Sequence, residues 1–499
     1  MWWRRRCANR SPDRSYLIVR ETPHIVIVGG GFAGATVALH LLKAGQAAPF
    51  ALTIVEPRAV IGAGLAYSSE DPEHRINVAA ARMTPLPDDL EHFDRWFRQS
   101  PDAAADPAAI IADGRAYPRR RVFGRYVDGL VRAAAAQAPH IRFQHVQHRA
   151  SGITPVGDGY RVILADGSYL DADLVILATG HNRAGIPDVF ADVAGRSRFI
   201  ANPWDKNALK PVRGEDWVLL IGTGLTMADT VASLRARGHI GQITAISRRG
   251  QLPQPRTALP VQAAGDFSSK PAVSLSALLR QVRNTARDLQ GEGRPWEDVI
   301  DAIRQQGFTI WNSLSLAEQQ RFQRHLRPYW ESHRYQIAPQ VDDVLRGEIR
   351  RRGLQVIAGS FTRVTFEQEV FRVKLRPRGG RPGALQERHF HAVVNCTGPD
   401  HAAQISGNEL LASLQGQGLL AADPLKLGVH VDRDSQVLDA AGRSQPGLLF
   451  AGPAARYTFG ELMGLPQVTL QAKAVADQAG LWLANRQGDA PGRRRAAYA

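Results

Sequence analysis

Gly29, Gly31 and Gly34 stand in the order G-x-G-x-x-G directly after the short apolar run Ile25–Val28. That spacing can hold a pyrophosphate. Gly29 permits the tight turn, Gly31 lets a phosphate approach the backbone, and Gly34 lets the next helix pack close on the strand. A helix over 35–44 would aim its free N–H groups and its positive end at the phosphates. A second strand, 52–55, ends in Glu56, 22 residues after Gly34. A carboxylate there can accept both hydroxyls of an adenosine ribose. Strand, glycines, helix, strand and terminal acid, in that order, point to dinucleotide binding.

The pattern begins again after the apolar run 217–221, with Gly222 and Gly224. Met227 occupies the third-glycine position, a helix over 228–236 follows, and the strand 243–246 runs into Ser247, Arg248 and Arg249. Cations now stand where the first copy has an acid. They suit a 2′-phosphate, so NADPH is expected rather than NADH; a plain surface arginine pair is the simpler alternative.

Other positions could complete such a site. Asn77 interrupts the apolar stretch INVAAA and can either bond its own loop or aim an amide at a ring edge. The buried strand DLVILATG ends at Gly180, where a small residue lets a cofactor pass. Near the other end of the chain, GLLFAG forms a strand ending at Gly452, and Pro466 opens a helix to about 485. Trp330, His333 and Arg334, in YWESHR, read as an exposed cluster able to bind a substrate anion, or as a Trp in a helical core beside a salt-bridged Arg. Arg119, Arg120 and Arg121 read as a solvated cationic turn before a helix. No metal site is expected, since His145 and His148 do not converge with other ligands.

The elements that position these residues form an internal repeat. Alternating strands over 141–145, 152–155, 160–164 and 169–170, with turns at Asp158-Gly159 and Asp166-Gly167, separate the first fingerprint from ATG. Strands over 361–368 and 370–375 precede HFHAVVNCTG in the same way. Between them, 265–345 is helical: apolar faces follow Ser274 and Pro295, and Ser315 with Glu318 spells a capping box. The fold class is α/β, with two Rossmann-like dinucleotide-binding domains and a helical insert.

Composition excludes other classes. The hydrophobic fraction of 44% and charged fraction of 22% are those of a globular chain. No apolar run approaches the ~18 residues of a membrane span. The arginine-rich start lacks an apolar core and does not read as a secretory signal. Two cysteines, Cys7 and Cys396, make a disulfide framework implausible and suit a reducing cytoplasm. The net charge of +15 is nearly half concentrated in 1–22 and 486–499, which read as disordered basic tails, so a nucleic-acid partner is not expected. No Ser/His/Asp set or paired carboxylate suggests a hydrolase.

Taken together, GGGFAG, GAGLAYSSEDPEHRINVAAARM, ATGHN, IGTGLTMADT, SRRG, YWESHR and NCTGP resemble the bacterial FAD-NAD(P)-binding protein family, a sister group of flavin-containing and N-hydroxylating monooxygenases. The resemblance spans about 24–480. It implies a glutathione-reductase-like layout, with FAD on Gly29, Gly31, Gly34 and Glu56 and NADPH on Gly222, Gly224, Arg248 and Arg249. It places the flavin near Asn77, Gly180 and Gly452. One motif departs: where class B monooxygenases carry F-x-G-x-x-x-H, this chain has Phe199-Ile-Ala-Asn-Pro-Trp204, without the Gly and His.

The expected division is 23–195 with 400–485 for FAD, 196–264 with 346–399 for NAD(P), and the insert 265–345. The expected activity is an FAD-dependent, NADPH-using oxidoreductase on a small organic substrate, with oxygenation as one fate of the electrons. A redox sensor or scaffold with little turnover, and a flavin reductase that does not use oxygen, stay open as alternatives.

Overall fold

A computed structural model describes residues 22–488, apart from 46–47, 183, 258, 260, 382 and 401–402. The basic ends, 1–21 and 489–499, lie outside the described residues. Arg486, expected in the second tail, instead stands on the last turns of the helix Leu465–Gly488 and pairs with Asp173 at 2.5 Å.

Two parallel sheets carry the fold. In the first, His24–Val28 lies between Phe50–Val55 and Leu174–Leu177; Ile141–Val146 extends one side, and Ser444–Phe450 with Gln436–Leu438 the other. All pairings are parallel except that of the last two strands. His24–Val28, Phe50–Val55 and Leu174–Leu177 are buried throughout, as continuous apolar runs covered on both faces must be. The helix Phe32–Lys43 covers one face and packs against Leu465–Gly488. Ala35 and Ala38 on one helix and Ala472, Ala476 and Ala479 on the other share this core. Side chains this small allow close approach.

Two details differ from expectation. Ile141–Val146 pairs in parallel with Phe50–Val55 and is not part of the meander. The meander is Ala150–Val156, Gly159–Leu164 and Tyr169–Ala172. Its first turn is Gly157-Asp158, with Gly157 at φ +59°. Gly159 is already in the strand, where a Cβ would sit 2.4 Å from the Ala172 carbonyl oxygen.

The second sheet repeats the plan: Val218–Ile221 is flanked by Ile243–Ser247 and Ala392–Asn395, with Phe199–Ile200 at one edge. The strand expected from 361 begins earlier. Leu354–Glu367 runs parallel to Ile243–Ser247 over 354–358, then shifts register between Phe361 and Arg363 and turns into an antiparallel ladder with Val370–Pro377. One long strand here does the work of two in the first copy.

The insert contains the helices Leu275–Gly291, Glu297–Gln305, Gly307–Ser313, Leu316–Arg321 and Arg327–Arg334. Ser315 Oγ accepts from the Glu318 N–H at 3.4 Å, but the Glu318 carboxylate does not return to Ser315. It accepts the Leu275 N–H at 2.7 Å instead, satisfying an orphan donor at the start of another helix. The next helix, Pro339–Arg350, packs on Leu225–Ala236 beneath the second sheet; the expected boundary at 345/346 falls inside it. No described helix is long and apolar enough to cross a membrane.

Candidate functional site

The first fingerprint turns where its glycines require it. Gly29 has φ +105°, and a Cβ there would lie 2.3 Å from the Ala178 carbonyl oxygen. A Cβ on Gly34 would lie 1.9 Å from the Gly29 carbonyl oxygen, so only glycine lets the helix seat on the strand. Gly31 is different: φ is −68°, and a Cβ would meet Gly64 Cα at an ordinary 3.5 Å. The loop 62–64 lies over the fingerprint, with the Gly62 N–H bonded to the Gly30 carbonyl at 2.7 Å. Gly31 therefore faces a cleft that a side chain would narrow without unfolding the turn.

Glu56 is buried at the strand end. Its Oε2 accepts the Gly30 N–H at 3.0 Å; its Oε1 accepts the Arg58 N–H and guanidinium at 3.0 and 2.9 Å. Three of the roughly four acceptor sites of a carboxylate are thus filled. One ribose hydroxyl can be added; a second requires the half-exposed Arg58 side chain to swing away. Gly30, which the sequence pattern does not single out, is needed here, since a Cβ would come within 2.6 Å of Glu56 Cβ.

Around the strand ends, Gly180 has φ +73° and open space where a Cβ would point. Beside it Thr179 Oγ1 is buried without a hydrogen-bond partner. Gly452, at φ +109°, packs on Ala33 at the start of the first helix and donates its N–H to Gln471. The helix opening before Pro466 starts at Leu465. His181, the residue after Gly180, was not expected. Burial, with the Arg456 guanidinium adding to it, pushes its imidazole down to about 4, so it is neutral at pH 7.

Asn77 is held by two arginines of the chain. Its Oδ1 accepts from Arg120 at 3.2 Å, and its carbonyl oxygen from Arg256 at 3.4 Å. Arg120 itself corrects the expectation of a solvated turn: it is buried and ion-paired with Asp229 at 2.7 Å, while Arg119 faces Asp106 at 3.5 Å. Sequence could not pair Arg120 with an acid 109 residues away.

The second fingerprint copies the first. Gly222 has φ +112°, and a Cβ would lie 2.6 Å from the Cys396 carbonyl oxygen. Gly224 and Gly398 both have open space where a Cβ would point. Met227, in place of the third glycine, is fully buried under the helix. Ser247 Oγ lies 2.8 Å from Thr223 Oγ1 and accepts the Gly250 N–H, fixing the turn that presents the two arginines. Arg248 is exposed. Arg249 lies over the Tyr329 ring, 4.7 Å from its centroid, and its Nη1 is buried without a hydrogen-bond partner.

Trp330, His333 and Arg334 come together on Arg327–Arg334 and line one cavity of about 810 Å³. The expected exposed anion-binding cluster is corrected in one respect: Arg334 is buried, ion-paired with Glu461 and 4.1 Å from the Tyr335 ring centroid. It is committed to holding the insert against segment 460–463. His333 packs edge-on against Trp296 and its Nδ1 lies 2.8 Å from the Tyr329 carbonyl oxygen. Arg82 to Asp301 at 2.7 Å and Trp311 Nε1 to the Tyr457 carbonyl at 2.7 Å also dock the insert on the first domain.

These features suit a dinucleotide at each fingerprint: a cleft at Gly31 that a side chain would fill, an orphaned hydroxyl at Thr179, open ends at Gly180, Gly224 and Gly398, and an unpartnered guanidinium nitrogen on Arg249.

Residues 26–182 match the family model described as FAD-NAD(P)-binding. No curated protein matches the chain in sequence. Among solved structures, L-lysine 6-monooxygenase from Pseudomonas syringae is 19% identical with a TM-score of 0.59, over 93% of this chain and 99% of that one. The reduced form of ornithine hydroxylase from Pseudomonas aeruginosa is 16% identical with a TM-score of 0.58, over 92% and 100%. Thioredoxin reductase from Lactococcus lactis is 12% identical with a TM-score of 0.50, over 93% and 100%. The fold is that of the flavoproteins with two dinucleotide-binding domains.

Proposed function

We propose that this FAD-NAD(P)-binding chain is an NADPH-dependent flavoprotein oxidoreductase, and that it acts as a monooxygenase on a small organic substrate held by the helical insert. The observation that carries the reading is the paired geometry of the fingerprints: Gly29 against Ala178 and Gly222 against Cys396 form the same turn twice, with an acid closing one copy and arginines the other.

In this reading Gly29, Gly31, Gly34 and Glu56 hold FAD, while Asn77, Gly180 and Gly452 border its ring. Gly222, Gly224, Arg248 and Arg249 hold NADPH. Bound flavin supplies the hydride acceptor and the electron outlet; the protein positions and shields it. His181, the neighbour of Gly180, is held neutral by its burial and would bring no positive charge to a ring bound there. The domain division is taken at the expected limits, except that the insert ends before the helix Pro339–Arg350. The two-cysteine composition suits a cytoplasmic setting.

The test is direct. The purified protein should be yellow, and anaerobic NADPH should bleach it stoichiometrically, with NADH far less effective. Colourless protein that takes up no added FAD would refute the assignment.

One observation favours the alternative that oxygen is not used. Trp204, in the segment without the Gly and His of class B monooxygenases, stacks at 4.8 Å from Arg120 and 5.0 Å from His74. It is tied into the domain junction. Slow reoxidation of the reduced protein by air, with rapid reoxidation by a quinone, would select that reading.

A further inference from the structure

We propose that the insert cavity binds an apolar carboxylate, an acid with a long alkyl or aryl body, and not a diamine or a free amino acid. The inference rests on the reading of the insert as the substrate domain and deepens it by naming the substrate class.

At about 810 Å³ the cavity is of a size to enclose an organic ligand. Its wall is largely apolar: Leu279, Val282, Ile300, Ile303, Leu326 and Trp330 face it. Hydrophobic faces of separate helices usually meet and close. Here they stand apart around a space, so an apolar body can enter with its surface removed from water.

Charge then selects the head group. Two carboxylates belong to the wall, and both are engaged: Glu331 with Arg327 at 2.7 Å, and Glu461 with Arg334. An ammonium group would have to share a carboxylate whose charge an arginine already offsets. Cations are in excess, with Arg283, Arg327, Arg334 and Arg456 on the same wall. The helix Leu275–Gly291 shows how the two features combine. Its apolar residues Leu275, Leu278, Leu279 and Val282 line the cavity, and Arg280, Arg283 and Arg287 line a smaller pocket that shares Leu279 and Arg283 with it. Arg283 makes no ion pair among the described residues. Three guanidinium groups beside the apolar lining attract an anion and hold its head while the body lies against the apolar wall.

The experiment is calorimetric titration of the FAD-loaded protein with decanoate, decylamine and L-ornithine. Decanoate should bind saturably, at least tenfold more tightly than decylamine, and L-ornithine should give no heat of binding. Leu279→Trp should fill the cavity and abolish decanoate binding. Arg283→Gln should weaken it several-fold and erase the preference over decylamine. Both variants should keep the flavin spectrum of the parent, which separates loss of the site from loss of the fold. Equal or tighter binding of decylamine or L-ornithine overturns the inference, as does unchanged decanoate affinity in Leu279→Trp. NADPH reduction of the flavin is measured on the same sample. Normal reduction without decanoate binding sinks the inference and leaves the oxidoreductase standing; decanoate binding without reduction supports the site and sinks the redox function.

Discussion

Arg120 Nη2 lies 2.7 Å from Asp229 Oδ2, and the pair is buried between the helix Arg120–Gln137 of the first domain and Leu225–Ala236 of the second. Trp204 stacks on the guanidinium, and His74 reaches Ser233 on the same second-domain helix at 3.2 Å. This junction fixes the distance between the two fingerprints. Removing one partner strands the other, so Arg120→Ala should cost about 3–5 kcal/mol in urea unfolding. It should also slow flavin reduction even where the protein still folds. A loss below about 1 kcal/mol, on the scale of exposed pairs, would show the junction to be solvated.

The glycines of the first fingerprint should separate by phenotype. Gly34→Ala places a Cβ 1.9 Å from a carbonyl oxygen and should destabilise the fold, by about 1–3 kcal/mol or more as overpacking does. Gly31→Val meets nothing closer than 3.5 Å at its Cβ, so it should fold and yet purify colourless. Flavin absorbance and circular dichroism read the two effects apart. Full flavin retention in Gly31→Val would remove Gly31 from the binding surface.

Arg248 and Arg249 should set nucleotide preference. Charge-assisted hydrogen bonds to a phosphate contribute about 1.5–3 kcal/mol. The double alanine variant should therefore raise the KM for NADPH by at least tenfold and leave that for NADH nearly unchanged. The unpartnered Nη1 of Arg249 predicts the larger share for that residue. Equal losses with both nucleotides would return the pair to the status of surface arginines.

Stability should fall on the acid side of neutrality. Burial lowers the pKa of His74 from 6.5, and burial with Arg456 lowers that of His181 from 6.5 to about 4. The unfolded chain then binds more protons than the folded one between those values. The contribution is complete above pH 6.5 and declines as pH drops toward 4. Tm should decrease from pH 7 to pH 5, and His181→Gln should flatten that slope. An unaltered slope in the variant would mean that His181 is hydrated.

The two fingerprints were legible in the sequence because their requirements are local. A turn at Gly29 or Gly222 needs positive φ, a helix seated on a strand needs no side chain at Gly34, and strands buried on both faces read as short apolar runs. Repetition made the architecture legible too, since one plan appears twice. What the sequence did not determine depends on contacts across long separations. Arg120 reads as a solvated cation until Asp229 is brought against it. Arg334 reads as an exposed hook until segment 460–463 delivers Glu461. Ile141–Val146 reads as meander because its alternation is that of an edge strand, and only sheet order sets it parallel. The insert cavity exists only when helices from 275 to 334 close around a space, because periodicity reports which face of a helix is apolar and not what that face meets.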